Sequence, residues 1–193
     1  MEKLFHTTKI QYKMASFKHK KDSNIELSQL MLPSHSNFRG KIHGGYILEI
    51  MDQVAFTCAS KYSGAYCVTA SVDTVNFRNP IEVGELVTLK ASINYVGNTS
   101  MVVGIRVESE NIRNGSKKHC NSSYFTMVAK DDDGNNVKIP GLILETDNDI
   151  RRFVKSIKRK EMDRKREEEF SDEDFSKAKY KSKLKDYNVE INS

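Results

Sequence analysis

The pattern of apolar and polar positions is most regular between residues 44 and 62. Apolar side chains recur there at a spacing close to the 3.6-residue period of an α-helix. They are Tyr46, Ile47, Ile50, Met51, Val54, Ala55, Cys58, Ala59 and Tyr62. The apolar stripe is unusually wide, so we expect other structure to wrap this helix on most sides. Ser63 and Gly64 are residues that commonly end a helix, and they follow directly.

After this helix the pattern changes to apolar runs separated by turn residues. Strands are predicted within residues 67–77, 85–95, 101–107 and 120–129, with an entering strand at 25–32 and a short last one at 137–139. Turn residues at 97–98, 114–115 and 131–136 separate the later runs. Short turns favour antiparallel pairing. The sequence therefore predicts an α+β domain in which one helix packs on an antiparallel sheet.

Two polar extensions flank this predicted domain of residues 25–145. Residues 1–24 are polar and basic and form an N-terminal extension, and residues 146–193 form a charged, helical C-terminal extension. Beyond Lys160 we expect a solvated helix or disorder. A single helix covers only part of a sheet, which favours homodimerisation through a sheet edge.

The C-terminal extension begins with helix signals. Thr146 or Asn148 is a candidate cap for a helix that starts near Asp149. Apolar residues then share one helix face, at Ile150, Phe153, Val154 and Ile157. The first part of this helix is therefore predicted to pack on the domain.

Charge changes the picture little. The net charge is +5, but residues 151–193 alone hold 14 basic and 10 acidic residues, so the folded part is nearly neutral. The mixed signs of the tail favour a solvated helix over a nucleic-acid-binding arm. No run of apolar residues is long enough to span a membrane.

Three cysteines, Cys58, Cys67 and Cys120, do not predict a disulfide framework. No metal-ligand spacing is present, so no metal site is expected. The first residues lack the apolar run of a signal peptide. Together these features predict a cytoplasmic protein.

Three features could carry chemistry. His43, Gly44 and Gly45 begin the apolar helix, where unpaired amides can polarise a carbonyl, although a glycine pair there is more often just a turn. Asp52 lies between the polar and apolar faces of that helix. This position suits a general base, and it also suits a boundary residue exposed to solvent. Glu49 is the other candidate for the catalytic carboxylate. The turn at residues 96–100 offers amides and hydroxyls to a phosphate, or is a plain hairpin turn.

Several blocks resemble one known family. Residues 37–45, 50–52 and 68–77 closely resemble the HotDog-fold acyl-CoA thioesterases, and the likeness extends over about residues 25–160. It is greatest to the cytosolic long-chain acyl-CoA hydrolases, whose animal members carry two HotDog domains where this chain has one. The resemblance implies a long central helix wrapped by an antiparallel sheet. It also implies a homodimer, often in a trimer of dimers, with the active site at the dimer interface.

The resemblance also implies roles for individual residues. Asp52 would be the general base or the nucleophile in hydrolysis of an acyl-CoA thioester, and the amides of Gly44 and Gly45 would face the thioester carbonyl. CoA, which is part of the substrate, would be the only cofactor-like group. Its binding surface would include Asn76, Phe77, Gly97, Asn98, Thr99 and Ser100.

One position departs from the family pattern. Lys41 stands where many relatives have Asn or Asp, so Asn37 or His43 would have to orient water instead. Lys41 and the long tail keep two alternatives open: a HotDog module that binds acyl-CoA without turnover, and a thioesterase acting on acyl carrier protein.

Overall fold

The structure, a computed structural model, describes residues 17–173 and 175–190. Residues 1–16 of the predicted N-terminal extension, and residues 174 and 191–193 of the C-terminal one, lie outside the described residues. The chain divides into two units, one that ends at Ser156 and one that begins at Ile157.

Helices and strands occur in the following order along the chain: β1 Phe17–His19, β2 Ile25–Leu30, α1 Gly44–Ser63, β3 Tyr66–Val72, β4 Leu86–Val96, β5 Ser100–Glu110, β6 Lys117–Lys130, β7 Gly141–Ile143, α2 Asp147–Asp172 and α3 Lys177–Tyr180. Short 3-10 helices lie at Lys20–Ser23, Pro33–His35 and Lys183–Asp186.

The predicted central helix is confirmed. α1 begins at Gly44, and the backbone leaves it at Gly64, whose φ of 74° is the left-handed conformation that favours glycine at a helix end. Its apolar stripe is buried in the core together with side chains from the sheet. Burial of this stripe stabilises the helix, because apolar surface is removed from water on most of its circumference.

The predicted antiparallel sheet is also confirmed. Five strands are arranged in the order β2-β4-β5-β6-β3, and each neighbouring pair is antiparallel. α1 contacts every strand of this sheet. Buried and more exposed residues alternate along most of β6, and buried side chains of β4, β5 and β6 share the core with α1. One face of the sheet therefore packs on α1, which completes the α+β arrangement.

Two strand predictions were wrong in extent or position. β3 ends at Val72, because residues 73–79 leave the ladder and cross towards the start of α1. Residues 137–139 form no strand; Pro140 follows them, and the last short strand is β7, which pairs in parallel with β1. That partner lies more than a hundred residues earlier in the chain, where local pattern could not reveal it.

The start of α2 packs in part as predicted, through Phe153 but not through Ile150 or Val154. Thr146 is the cap, since its Oγ1 accepts the Asp149 amide at 3.2 Å. Ile150 and Val154, predicted to pack, are about half exposed at 50% and 47%. Phe153 packs on Tyr95 of β4, with ring centroids 5.1 Å apart.

An ion pair fixes the same end of α2. Lys20 and Asp149 lie 2.9 Å apart with both side chains 12% exposed. Because Lys20 belongs to the stretch predicted as an N-terminal extension, the first described residues take part in the packing of this unit.

Candidate active site

His43 organises the start of α1 from the capping position before the first turn. Its Nδ1 accepts a hydrogen bond from the Gly45 amide at 2.9 Å, and its carbonyl accepts from the Tyr46 amide. A helix N-terminus favours an anion or a carbonyl oxygen, because its amide donors and positive partial charge converge there. A ligand oxygen that takes the Gly45 amide therefore has to displace the His43 ring.

The Phe77 ring lies against Gly44 at the start of α1. A Cβ on Gly44 would lie 3.2 Å from Cζ of the Phe77 ring, closer than ordinary contact. Phe77 itself is 51% exposed, and Asn76 beside it is exposed as well. The structure thus brings together two of the elements that the sequence proposed, the glycine pair and the segment with Asn76 and Phe77.

Asp52 lies on the exposed side of α1 and is held by a residue of β3. Thr69 Oγ1 donates a hydrogen bond to Asp52 Oδ1 at 2.6 Å. The pairing of β3 with β6 shifts register between Thr69 and Ser71, and such bulges commonly redirect a side chain next to a site. A donor on Oδ1 orients the carboxylate so that Oδ2 can face water or a substrate.

Thr69 was missed in the sequence. It belongs to a run rich in Val and Thr, where a hydroxyl side chain is ordinary strand composition. Its contact with Asp52 joins residues 17 positions apart and depends on how β3 folds back along α1. Within the sequence, a Thr in the strand that follows a helix carboxylate was the only available signal.

Glu49, the rival carboxylate, has a different environment. It is exposed, and its Oε1 accepts a long hydrogen bond of 3.4 Å from Gln53 on the same helix. A contact between exposed neighbours on one helix fixes a side chain weakly. The geometry therefore favours Asp52, which a neighbouring strand holds in place.

Asn37 and Lys41 shape the hairpin before α1. Asn37 Oδ1 accepts hydrogen bonds from the amides of Arg39 at 2.9 Å and Lys41 at 3.2 Å. The Lys41 ammonium pairs with Glu82 at 2.5 Å and so ties this hairpin to the segment before β4. The amide nitrogen of Asn37 is then the part of its side chain able to donate to a ligand.

The turn at residues 97–100 is braced through its backbone. The Gly97 amide donates to the Ser100 carbonyl at 2.7 Å, and the Asn98 and Thr99 carbonyls accept from residues 139 and 129 at 3.0 and 2.9 Å. Asn98 is exposed, and Thr99 and Ser100 are half-buried. Side chains rather than carbonyls are therefore what this turn offers to a ligand.

Within a single chain, the turn at residues 97–100 lies far from the start of α1. Ser100 is opposite Val128 on β6, whereas Arg78, next to Phe77, donates its amide to the Cys120 carbonyl on the same strand. Eight positions of an extended strand correspond to about 26 Å. A ligand that touches both the turn and the helix start of one chain would have to span that length.

The cysteines are not placed to act as nucleophiles. All three are buried, and burial raises the pKa of the Cys58 thiol to about 12. A thiol with so high a pKa is a poor nucleophile at neutral pH. Cys58 and Cys67 pack in the core and are therefore structural.

Neither a metal site nor a membrane span is found in the part of the chain that the structure describes. No three His, Cys, Asp or Glu side chains there are grouped to hold an ion. No helix there has the length and apolar character needed to cross a bilayer.

A long helix wrapped by an antiparallel sheet is the arrangement of the HotDog fold. Residues 39–116 match the thioesterase superfamily. Protein VdlD of Helicobacter pylori is 47% identical over 140 residues, which cover 72% of this chain and 80% of that protein.

Solved structures of acyl-CoA thioesterases are also similar to this chain. The crystal structure of an apo-hexameric acyl-CoA thioesterase has 32% identity and a TM-score of 0.76, covering 79% of this chain and 97% of its own. The acyl-CoA hydrolase of Staphylococcus aureus, solved with butyryl-CoA and CoA, has 29% identity and a TM-score of 0.74, with 80% and 94% covered. The chain belongs to the thioesterase superfamily.

The S. aureus enzyme has also been solved with alanine in place of an asparagine, an aspartate and a threonine. In that enzyme the aspartate follows the asparagine by 15 positions, and the threonine follows the aspartate by 17. Asn37, Asp52 and Thr69 have the same spacing in this chain. This supports Asn37, rather than the position of Lys41, as the counterpart of that asparagine.

Proposed function

We propose that this protein hydrolyses the thioester of an acyl-CoA to the free acid and CoA, with Asp52 as its catalytic carboxylate. The observation that carries the proposal is the 2.6 Å hydrogen bond from Thr69 to Asp52. It fixes an exposed carboxylate on the helix that begins with Gly44 and Gly45. The relatives named as acyl-CoA thioesterases and hydrolases support the substrate class.

Two routes suit the Asp52 carboxylate. As a general base, it takes a proton from a water molecule whose oxygen attacks the thioester carbonyl carbon. The C–S bond then breaks, and the departing CoA sulfur takes up a proton. As a nucleophile, it attacks the same carbon and displaces the CoA sulfur, which takes up a proton, to give a mixed anhydride. Water then hydrolyses the anhydride to the free acid and restores the Asp52 carboxylate. In both routes negative charge develops on the carbonyl oxygen, where amides of the α1 start would stabilise it.

The length of α1 supports a site built from two protomers. Asp52 lies eight residues after Gly44, which corresponds to about 12 Å along a helix. A carbonyl oxygen about 3 Å from the amides at the helix start places its carbon far from Asp52 of the same helix, which favours an Asp52 supplied by a second protomer. The amides and Asn37 would therefore come from one protomer, and Asp52 and Thr69 from its partner.

The β3 edge supports the arrangement of such a dimer. β3 is the last strand of the sheet, and it carries Thr69. Apolar side chains remain exposed along it and just beyond, at Tyr66 (61%), Val72 (46%) and Phe77 (51%). A second copy paired at this edge would cover them. The hexameric relative supports a further assembly into a trimer of dimers.

The CoA moiety is proposed to lie beside the helix start, along Asn76 and Phe77. The turn at residues 97–100 is far from the helix start of its own chain. It is therefore proposed to contact the CoA moiety from whichever protomer faces the site. Location in the cytoplasm stays a prediction.

Replacement of Asp52 by Asn tests the proposed function. Asn keeps the size of the side chain and its acceptor for Thr69, but it cannot remove a proton or attack. Hydrolysis, followed by trapping of the released CoA thiol, should fall by roughly 10²- to 10⁴-fold. Glu49→Gln is the matched control on the same helix and should retain wild-type turnover.

Other outcomes would point elsewhere. Unchanged turnover in folded Asp52→Asn would overturn the assignment of Asp52. Tight acyl-CoA binding by the wild type without thiol release would favour the non-catalytic binding module. Faster hydrolysis of acyl carrier protein thioesters than of acyl-CoA would favour the second alternative.

A further inference from the structure

The unit that begins at Ile157 exposes aromatic side chains that contact one another. The ring centroids of Phe170 and Phe175 are 5.8 Å apart, and those of Phe175 and Tyr180 are 6.1 Å apart. Phe170 is nevertheless 64% exposed and Phe175 60% exposed, and Tyr187 nearby in sequence is 61% exposed. Grouped apolar side chains left in water mark a surface that another body covers.

Lysines are frequent in this part of the sequence, and two of them lie close to the Tyr180 ring. From residue 177 to residue 185 every second position is Lys, and residues 175–185 contain no acidic residue. The Lys179 and Lys183 ammonium groups lie 5.6 and 5.9 Å from the centroid of the Tyr180 ring, and Lys181 is exposed. We call Phe170 together with residues 175–187 the aromatic–lysine segment.

An acidic block precedes most of this segment. Residues 167–174 include six Asp or Glu. Within it, Glu173 Oε1 accepts from Lys179 at 2.5 Å and from the Tyr180 hydroxyl. Glu173 thus holds Lys179 and Tyr180 near the end of α2. The later lysines of the run follow the acidic block along the chain.

We propose that the aromatic–lysine segment docks on the surface of an anionic lipid bilayer. Lysine ammonium groups match anionic headgroups, and each contributes favourably near such a surface. Phenylalanine and tyrosine rings insert at the boundary between headgroups and acyl chains. The aromatic–lysine segment combines exposed aromatic rings with closely spaced lysines.

The packing of the rings favours lipid over nucleic acid as the occupant. Proteins that bind single strands stack successive bases on separate aromatic faces along a basic groove. Here the Phe170, Phe175 and Tyr180 rings contact each other, which uses faces that bases would need. Lipid docking goes beyond thioester hydrolysis and is measured without it.

Co-sedimentation with vesicles tests the proposal on the full-length protein. The wild type should pellet with vesicles of phosphatidylcholine mixed with phosphatidylglycerol, and hardly with phosphatidylcholine alone. Replacement of Lys179, Lys181 and Lys183 by Gln should lower the partition coefficient by roughly tenfold or more. Replacement of Phe170 and Phe175 by Ser should lower it while leaving the charge unchanged.

The matched control removes three charges elsewhere. Lys61, Arg113 and Lys138 are exposed residues of the first unit, and their joint replacement by Gln should leave vesicle binding close to wild type. Thioester hydrolysis in solution should be unchanged in all three variants, which shows that each is folded.

Three results would overturn the proposal. They are equal binding of both vesicle types, binding unaffected by the lysine and phenylalanine variants, and tighter binding of a single-stranded oligonucleotide than of anionic vesicles. The last would identify nucleic acid as the partner of this segment.

Discussion

Asp52 and Glu85 are two carboxylates that each accept a hydrogen bond from a hydroxyl side chain, yet their surroundings differ. Asp52 is exposed and is held by Thr69 at 2.6 Å. Glu85 is 7% exposed; it accepts from the Ser109 hydroxyl and pairs with Lys118 at 2.8 Å. It also accepts the Glu82 amide at 3.0 Å.

The difference separates a structural carboxylate from a reactive one. Partial burial raises the pKa of Glu85, but its hydrogen bonds to the Glu82 amide, Lys118 and Ser109 outweigh burial and hold the pKa below its ordinary value. Both of its carboxylate oxygens are used in hydrogen bonds that join the turn before β4 to Ser109 of β5 and Lys118 of β6. Asp52 is fixed through one oxygen and stays accessible, as general-base or nucleophilic work requires.

Among the variants that test this difference, Glu85→Ala is expected to have the largest effect, a loss of stability. Removal of the acceptor leaves the ammonium of Lys118 and the hydroxyl of Ser109 without their partner in a largely buried place. The free energy of unfolding should fall by roughly 2–3 kcal/mol, as measured by urea denaturation. The activity of the remaining folded protein should change little, because Glu85 has no part in the proposed site.

Glu82→Ala is the matched control for this variant. Glu82 pairs with Lys41, but the two side chains are 40% and 45% exposed, so its loss should cost no more than about 0.5 kcal/mol. The pKa of Glu85 is lowered on folding, so Glu85 contributes fully to the free energy of unfolding at a pH above the ordinary pKa of 4.5. This contribution is lost as the pH falls from that value through the lower folded pKa. Equal losses in the two variants would contradict the distinction between them.

A smaller effect is expected from Thr69→Val. Valine keeps the shape of threonine but removes the donor that orients Asp52, so kcat should fall by roughly tenfold with little change in KM. Thr69→Ser restores the hydroxyl and should recover most of the rate. A kcat for Thr69→Val equal to that of the wild type would show that the hydrogen bond has no part in turnover.

The sequence predicted much of the fold because its signals were local. The wide apolar stripe from Tyr46 to Tyr62 predicted α1 and its wrapping, and the turn residues at 97–98 and 114–115 predicted the hairpins of the sheet. Thr146 was among the two predicted caps for α2. Each of these depends on residues within a few positions of one another.

The parts that were missed depend on distant partners. β7 forms because residues 17–19 lie beside it. Phe153 was on the face of α2 predicted to pack, but its partner, Tyr95 of β4, could not be identified from local pattern. Thr69 became part of the candidate site only when β3 was seen to fold back along α1. His43 was named as a site residue, but its hold on the Gly45 amide could be seen only in three dimensions.

The central claim, that Asp52 acts in a site completed by a second protomer, is tested most directly by mixed dimers. Asp52→Asn and Asn37→Ala chains would be unfolded together, refolded and assayed for release of CoA thiol. If Asp52 and Asn37 of one site come from different chains, turnover should recover to about a quarter of wild type, because half the dimers are mixed and each carries one intact site. Turnover no higher than that of the separate variants would contradict the two-protomer site.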